Sequence, residues 1–331
     1  MTTTQPAHVR RVALSERLDV SALGLGCMGM AEFYGPSDEQ ESVATIERAV
    51  EHGVDFIDTA YMYGGGRSEE IVGKALARIG RERVTLATKC GLERTDTGVR
   101  IDGTPDRIRA AVDESLRRLG TDHVDLLYLH RVDPEVPVEE SIGAMAELAA
   151  AGKARLLGIS EAGEDSLRRA HATHPMAALQ SEFSLSTREP QRTLLPVCRE
   201  LGIGFVAWGP LSRGLLTGKL TAAEFGRDDI RSVLPRFAPD ALTRNLQLVE
   251  RLVEFARARD LTLAQLALAW VIAQGAVPIP GAMDRGQLDE NRAAADVVLD
   301  PQTLAELDEL APEGAFAGDR FHAPMLSTVD Q

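Results

Sequence analysis

Short apolar runs alternate along the chain with longer segments whose apolar positions recur at helical spacing. That alternation is the signature of successive β-α units feeding a parallel sheet. Eight runs read as strands: 20 to 28, 54 to 58, 84 to 89, 124 to 130, 154 to 160, 176 to 180, 203 to 208 and 276 to 280. Amphipathic stretches at 38 to 51, 68 to 78, 106 to 119, 138 to 150 and 189 to 201 are long enough to be crossover helices. Their starts carry capping signals: Ser37 before D-E-Q-E, Thr104 before Pro105, and Pro137 before a glutamate-rich run. Gly53, Gly120, Gly152 and Gly202 follow helical segments, where a left-handed cap is wanted.

Eight strand and helix pairs without a linker or a composition break predict an α/β fold, one (β/α)8 TIM barrel with right-handed connections. A doubly wound sheet is the alternative. The barrel is expected to be a single domain over 1 to 331, with a core from about 10 to 311 and a tail at 312 to 331. The stretch from 218 to 241 is too long for an ordinary βα loop and reads as an inserted lid or binding loop. The tail carries Phe316 and Phe321 and is a candidate to close over the barrel mouth.

Composition narrows the partners. Hydrophobic residues make up 44% and charged residues 26%, the balance of a globular protein with a core. Fifty acidic against 36 basic side chains give a net charge of -14, so the molecular field repels nucleic acid and anionic lipid. The N-terminal stretch lacks an apolar leader core, and no run approaches a membrane span, so a cytoplasmic protein is expected. Cys27, Cys90 and Cys198 form no C-x-x-C pair and are expected to be buried, inert thiols. His171 and His174 form an H-x-x-H without a carboxylate partner and are expected on the surface; no metal site is foreseen.

Gly24, Gly26 and Gly29 spell G-x-G-x-x-G after a strand, the pattern of a Rossmann phosphate loop. That mechanism needs a helix to open at the glycines, and Gly35-Pro36 postpones the helix to about 38, so a turn at the end of strand one is expected instead. In a (β/α)8 barrel the chemistry sits at the C-terminal strand ends. Strand two ends in Asp58, with Tyr63 just beyond; strand three ends in Lys89; strand four ends in His130. A lysine and a histidine are costly in such apolar runs unless they are paired. Asp58 can hold Lys89 charged, and the ammonium is expected to draw the Tyr63 phenol down toward a working range for proton donation. His130 can orient a carbonyl oxygen. Such a site donates a proton and requires a partner that supplies electrons.

These residues resemble the aldo-keto reductase superfamily. The matching stretches are D-T-A-Y-M-Y-G at 58 to 64, S-E-E-I-V-G at 68 to 73, A-T-K at 87 to 89 and D-L-L-Y-L-H-R at 125 to 131. Further on come G-I-S-E at 158 to 161, Q-S-E-F-S-L at 180 to 185, A-W-G-P-L-S-R-G-L-L-T-G-K at 207 to 219, P-I-P-G at 278 to 281 and the pair Glu290-Asn291. The match runs from about 10 to 311 and is similar above all to bacterial NAD(P)H-dependent reductases whose N-terminal hairpin caps the barrel floor. The resemblance implies reduction of an aldehyde or ketone, with NADP(H) as cofactor and NAD(H) as an alternative, and Asp58, Tyr63, Lys89 and His130 as the catalytic tetrad. It implies that Ser160 and Gln180 bond the carboxamide and that Trp208 stacks on the nicotinamide. Glu161 stands where many members have asparagine. Gly209, Pro210, Leu211, Ser212 and Gly214, with Lys219, match the loop around the pyrophosphate. Gly281 opens the adenosine-side segment, where Glu290 and Asn291 match an adenine-contacting pair and Arg231 resembles another adenosine-side arginine.

At that end the sequence departs from its relatives. Asp284 and Gln287 occupy the usual basic positions, leaving Arg285, so a 2'-phosphate meets like charge and weakened NADPH preference is expected. Phe33, Tyr34 and Met62 are the candidate substrate pocket, with Arg131 and Phe316 or Phe321 at the rim; they favour an apolar or aromatic carbonyl. The expected partner is a small carbonyl compound, with no nucleic acid or membrane, and the chain is expected to be a monomer or homo-oligomer. A cofactor-holding regulatory subunit with slow turnover is the alternative function. A hydrolase or lyase is the third, disfavoured because G-I-S-E-A is not a nucleophile elbow.

Overall fold

Apolar residues at alternate positions on β1 (Arg11–Ser15) and β2 (Leu18–Ser21) fold into an antiparallel hairpin. It drives Leu14 and Val20 into the floor of a barrel, where they are buried with Phe56, Leu126, Val206 and Val277. The structure is a computed structural model that describes residues 9–95, 98–221, 225–226, 229–322 and 329–330. The expected first strand, 20 to 28, is divided: Val20 and Ser21 belong to the hairpin, and the barrel strand is β3 (Leu25–Gly26). The cause is local, because the Ser21 backbone N–H bonds Asp55 and its hydroxyl donates to Leu23 O at 2.8 Å, turning the chain.

Seven further barrel strands follow: β4 (Phe56–Asp58), β5 (Thr85–Cys90), β8 (Val124–Leu129), β9 (Ala154–Ser160), β10 (Met176–Glu182), β11 (Gly204–Trp208) and β12 (Val277–Pro278). They pair in parallel in chain order, from β3 to β12. Backbone bonds from Gly24 N to Pro278 O and from Gly26 N to Pro280 O close the ends into a (β/α)8 barrel. The glycines of the false Rossmann pattern make that closure fit, since a Cβ on Gly26 would lie 2.9 Å from Ile279 O. Between β5 and β8 a second hairpin, β6 (Leu92–Thr95) with β7 (Gly98–Ile101), rises from the C-terminal face.

Ten helices cover the barrel among the described residues: α1 (Glu39–Glu51), α2 (Arg67–Ile79), α3 (Pro105–Leu119), α4 (Val138–Ala150), α5 (Glu164–Thr173), α6 (Leu194–Leu201), α7 (Pro239–Arg257), α8 (Leu263–Ala273), α9 (Arg285–Ala293) and α10 (Pro301–Leu310). In α3 the residues Ile108, Ala111, Val112, Ser115, Leu116 and Leu119 form the buried stripe that spacing predicts, and Gly120 ends it in the left-handed region. Two caps differ from expectation. Asp38, not Ser37, caps α1 by accepting Glu41 N, while the Ser37 hydroxyl is spent on Met30 O. Thr104 caps α3 by backbone alone, its hydroxyl being donated to Asp102. The helix expected over 189 to 201 is a 3-10 turn, Glu189–Gln191, followed by α6, because each half carries a proline suited only to a first turn.

The three cysteines are buried and free, and burial pushes the Cys90 and Cys198 thiols up to about 12. His171 and His174 lie at the C-terminal end of α5, partly exposed to solvent; the His171 ring accepts Met176 N. Of the expected insertion, 222–224 and 227–228 lie outside the described residues; its later part forms 3-10 turns at Ile230–Val233 and Pro235–Phe237 before α7. Among the described residues no helix is long and apolar enough to cross a membrane.

Candidate functional site

The parallel register sets Asp58, at the end of β4, beside Ala87 on β5, two residues before Lys89. Beyond Asp58 the chain must turn sharply to present a side chain back over the strand ends. Gly64, Gly65 and Gly66 do this with φ of 59°, 66° and 99°, conformations that side chains rarely adopt. Tyr63 opens that turn and leans inward.

The Lys89 ammonium pairs with Asp58, donates to Thr59 O at 3.0 Å and lies 3.3 Å from the Tyr63 hydroxyl. The other Asp58 oxygen accepts Gln180 Nε2 at 2.9 Å. Lys89 and Asp58 are 1% and 2% exposed, so this pair works without solvent screening. His130 packs edge-on against Tyr63 with ring centroids 5.7 Å apart, and its Nδ1 has no hydrogen-bond partner among the described residues. Strand ends thus bring all four expected proton-handling residues together.

Burial works against every charge here, and the outcomes differ. It would lower the Lys89 ammonium, but Asp58 and Tyr63 outweigh it and hold the group above its ordinary value. Burial also raises the Tyr63 phenol, and the opposing pull of Lys89 is too small to reverse it. This corrects the expectation that Lys89 would bring Tyr63 below the ordinary phenol range. His130 is held well below its ordinary value by burial first, then by Lys89 and Arg131, so its ring is neutral at neutral pH. The site therefore offers a protonated phenol, a fixed ammonium and a neutral imidazole.

Beneath it, buried Glu69 accepts Thr88 Oγ1 at 2.7 Å and pairs with Arg118, anchoring the strand that carries Lys89. Met62 is buried with Ala60, Tyr63 and Leu92, and Phe33 packs on that cluster; Tyr34 instead lies beneath the Arg231 guanidinium, 5.5 Å from ring centre to charge.

The residues expected to hold a dinucleotide line the same rim. Ser160 ends β9 and is buried; Gln180 lies on β10 with its amide engaged by Asp58. After Trp208 the chain passes through Gly209, Pro210 and Leu211 into a left-handed run at Ser212, Arg213 and Gly214, with φ of 47°, 54° and 93°. Such a run curls the backbone into a concave turn, and the cations Arg213, Lys219 and Arg231 surround it, a donor set suited to phosphate. At the far end Asn291 bonds Gly281 O at 3.2 Å and Glu290 holds Lys219 at 2.5 Å. Arg231 is clamped by Asp229, and Arg285 by Glu41 on α1. Asp284 caps α9 and also accepts Gln287 Nε2, so the helix N-terminus is already satisfied by its own side chains.

Two residues at the mouth, Glu161 and Arg320, have no role assigned from the sequence. Glu161, with φ 52°, is buried and accepts Ser181 Oγ, Glu182 N and Trp208 Nε1 on one oxygen. Its other oxygen pairs with Arg320 of the tail at 2.8 Å. Burial would raise this carboxyl, yet Arg320 and Arg131 hold it below its ordinary value. Phe321 covers Trp208 at 6.1 Å between rings, and Arg213 lies over both. The described part of the tail therefore closes on the mouth through Arg320 and Phe321, while 323–328 and 331 lie outside the described residues. Glu161 also follows the last residue of a barrel strand, the signal that had found the other four; Arg320 gave none.

Comparisons agree with this geometry. A model described as "Aldo/keto reductase family" matches residues 22–312. A soybean (Glycine max) protein named "Probable aldo-keto reductase 1" is 41% identical over 321 residues, covering 96% of this chain and 93% of that one. The glycerol dehydrogenase of Gluconobacter oxydans is 30% identical with a TM-score of 0.84, covering 94% of this chain and 97% of that one. An aldo/keto reductase of Klebsiella pneumoniae, solved with NADP and acetate, is 31% identical with a TM-score of 0.73, over 94% and 98% of the two chains.

Proposed function

The chain belongs to the aldo/keto reductase family, and on that premise we propose that it reduces an aldehyde or ketone to an alcohol with NADPH, Tyr63 acting as the general acid. The observation that carries this reading is the buried Tyr63 hydroxyl, 3.3 Å from an ammonium that Asp58 fixes, beside a neutral imidazole. Against Trp208, a bound NADPH would supply the hydride that reduces the carbonyl carbon. Tyr63 hydrogen-bonds the carbonyl oxygen and passes its proton there as negative charge develops. Lys89 stabilises the phenolate left behind, since its ammonium keeps its charge. Asp58 and Thr59 O aim Lys89, and Gln180 aims Asp58. His130 orients the carbonyl oxygen against Tyr63 without competing as an acid.

The concave turn at 212 to 214, with Arg213 and Lys219, would hold the pyrophosphate, and Trp208 would face the nicotinamide. The NADP-bound Klebsiella relative supports that cofactor. The adenosine end supports use of NADH as well, because Arg285 is engaged by Glu41 and the α9 N-terminus by Asp284.

Tyr63→Phe removes the proton donor and little else. Turnover should fall by about 10²- to 10⁴-fold, with NADPH affinity, read by quenching of protein fluorescence, essentially kept. Turnover equal to wild type would remove Tyr63 from the mechanism.

A further inference from the structure

The mouth of the barrel carries more positive charge than its own carboxylates neutralise. Arg131 directly follows His130, and its Nη1 donates to the His130 carbonyl at 3.0 Å. It makes no ion pair with a carboxylate among the described residues, although it is half-buried. Arg320 reaches in from the tail to Glu161, and Arg213 lies 5.3 Å from the Trp208 ring centre. Arg131, Arg213 and Arg320 thus gather around Glu161, while the other buried carboxylate of this region, Glu182, faces a fourth guanidinium, Arg236, at 3.7 Å, so cations outnumber these two anions in a chain whose net charge is -14. A guanidinium does not shed its proton, so a desolvated one without a partner is costly unless an anion meets it. Burial, together with Arg320 and Arg213, depresses the Arg131 guanidinium despite the pull of Glu161 and Tyr63, the imprint of that deficit.

We propose that this deficit selects the substrate: carbonyl compounds that also carry a carboxylate, gripped by Arg131 and by Arg320, which Glu161 positions. The inference rests on the reading of Tyr63 as the group that meets the carbonyl oxygen. Arg131 is chained to His130, which touches Tyr63, so the carboxylate lies a short span from the carbonyl. The rival claimant on these charges is a phosphate of the dinucleotide. Arg213 belongs to the turn suited to phosphate, whereas Arg131 lies at the end of a different strand, β8, beside the proton donor. The forked guanidinium suits a planar carboxylate held by two parallel bonds.

The test compares 4-carboxybenzaldehyde with methyl 4-formylbenzoate, which has the same aldehyde and no charge. With saturating cofactor, wild type should show kcat/KM at least about tenfold higher for the acid, the worth of one well-formed charge-assisted contact. In Arg131→Met the acid-to-ester ratio should collapse toward one, Arg131→Lys should restore part of it, and Arg320→Met should lower it. NADPH affinity by fluorescence quenching should stay within about twofold in Arg131→Met. Equal rates for acid and ester in wild type overturn the inference and leave the reductase reading standing. A loss in Arg131→Met that is the same for both substrates, or that follows a weakened cofactor affinity, gives the charge to the dinucleotide and also overturns it. Failure of wild type to reduce either aldehyde, with cofactor bound, overturns both.

Discussion

Lys89 shows how single residues bear the account. Its ammonium is 1% exposed and is compensated by Asp58, so removing it strands a buried carboxylate. Lys89→Met should therefore lower unfolding free energy by about 3–5 kcal/mol in urea melts as well as abolish turnover. An unaltered melt would mean that Asp58 finds another partner. At the adenosine end, Glu41→Gln should release Arg285 and tighten NADPH binding by about twofold or more, with NADH affinity unmoved. Equal changes for both cofactors would contradict a 2'-phosphate site there. The identity of the four proton-handling residues was legible because each stands at or just after a strand end. Their protonation was not: the height of the Tyr63 phenol depends on how completely the fold buries it, which no spacing reveals.

Elements were legible where period and boundary agree, as in α3, and less so where backbone pairing decides. The run from Val20 to Met28 reads as one strand, but Ser21 and Asp55 divide it into floor hairpin and barrel strand. Likewise the sequence sets aside a phosphate loop at Gly24 and Gly26 in favour of a turn, but it does not reveal that these glycines are where the first and last barrel strands close on each other. Gly26→Ala would press a methyl to 2.9 Å of Ile279 O, where the barrel closes, and should cost about 1–3 kcal/mol. Gly143, inside α4 with nothing within 4 Å of its added Cβ, is the control: Gly143→Ala should stabilise by about 0.5–1 kcal/mol. If both variants unfold at the same denaturant concentration, closure by backbone contact is not what fixes those glycines.

At the scale of the whole molecule, the tail and the acid response belong together. Charge arithmetic described an acidic surface; it did not reveal that the mouth is locally cationic, because Arg131, Arg213 and Arg320 converge only in the folded chain. Buried neutral His130 refuses a proton that the unfolded chain accepts below its ordinary 6.5. Folding stability from this group is therefore complete above that pH and declines as pH falls through it. Protonation elsewhere relieves the repulsion within a chain of charge -14, so wild type against His130→Gln isolates the effect. Between about pH 7 and 5 the wild type should lose more unfolding free energy than the variant. Identical losses would mean that the His130 ring protonates in place. Yet the central claim is electron transfer to a carbonyl, and it is read most directly by absorbance at 340 nm with NADPH, then NADH, against a panel of aldehydes. The account predicts aldehyde-dependent loss of the reduced cofactor matched one to one by alcohol, and near silence from Tyr63→Phe. Cofactor that binds tightly while no aldehyde in the panel provokes its oxidation would contradict it.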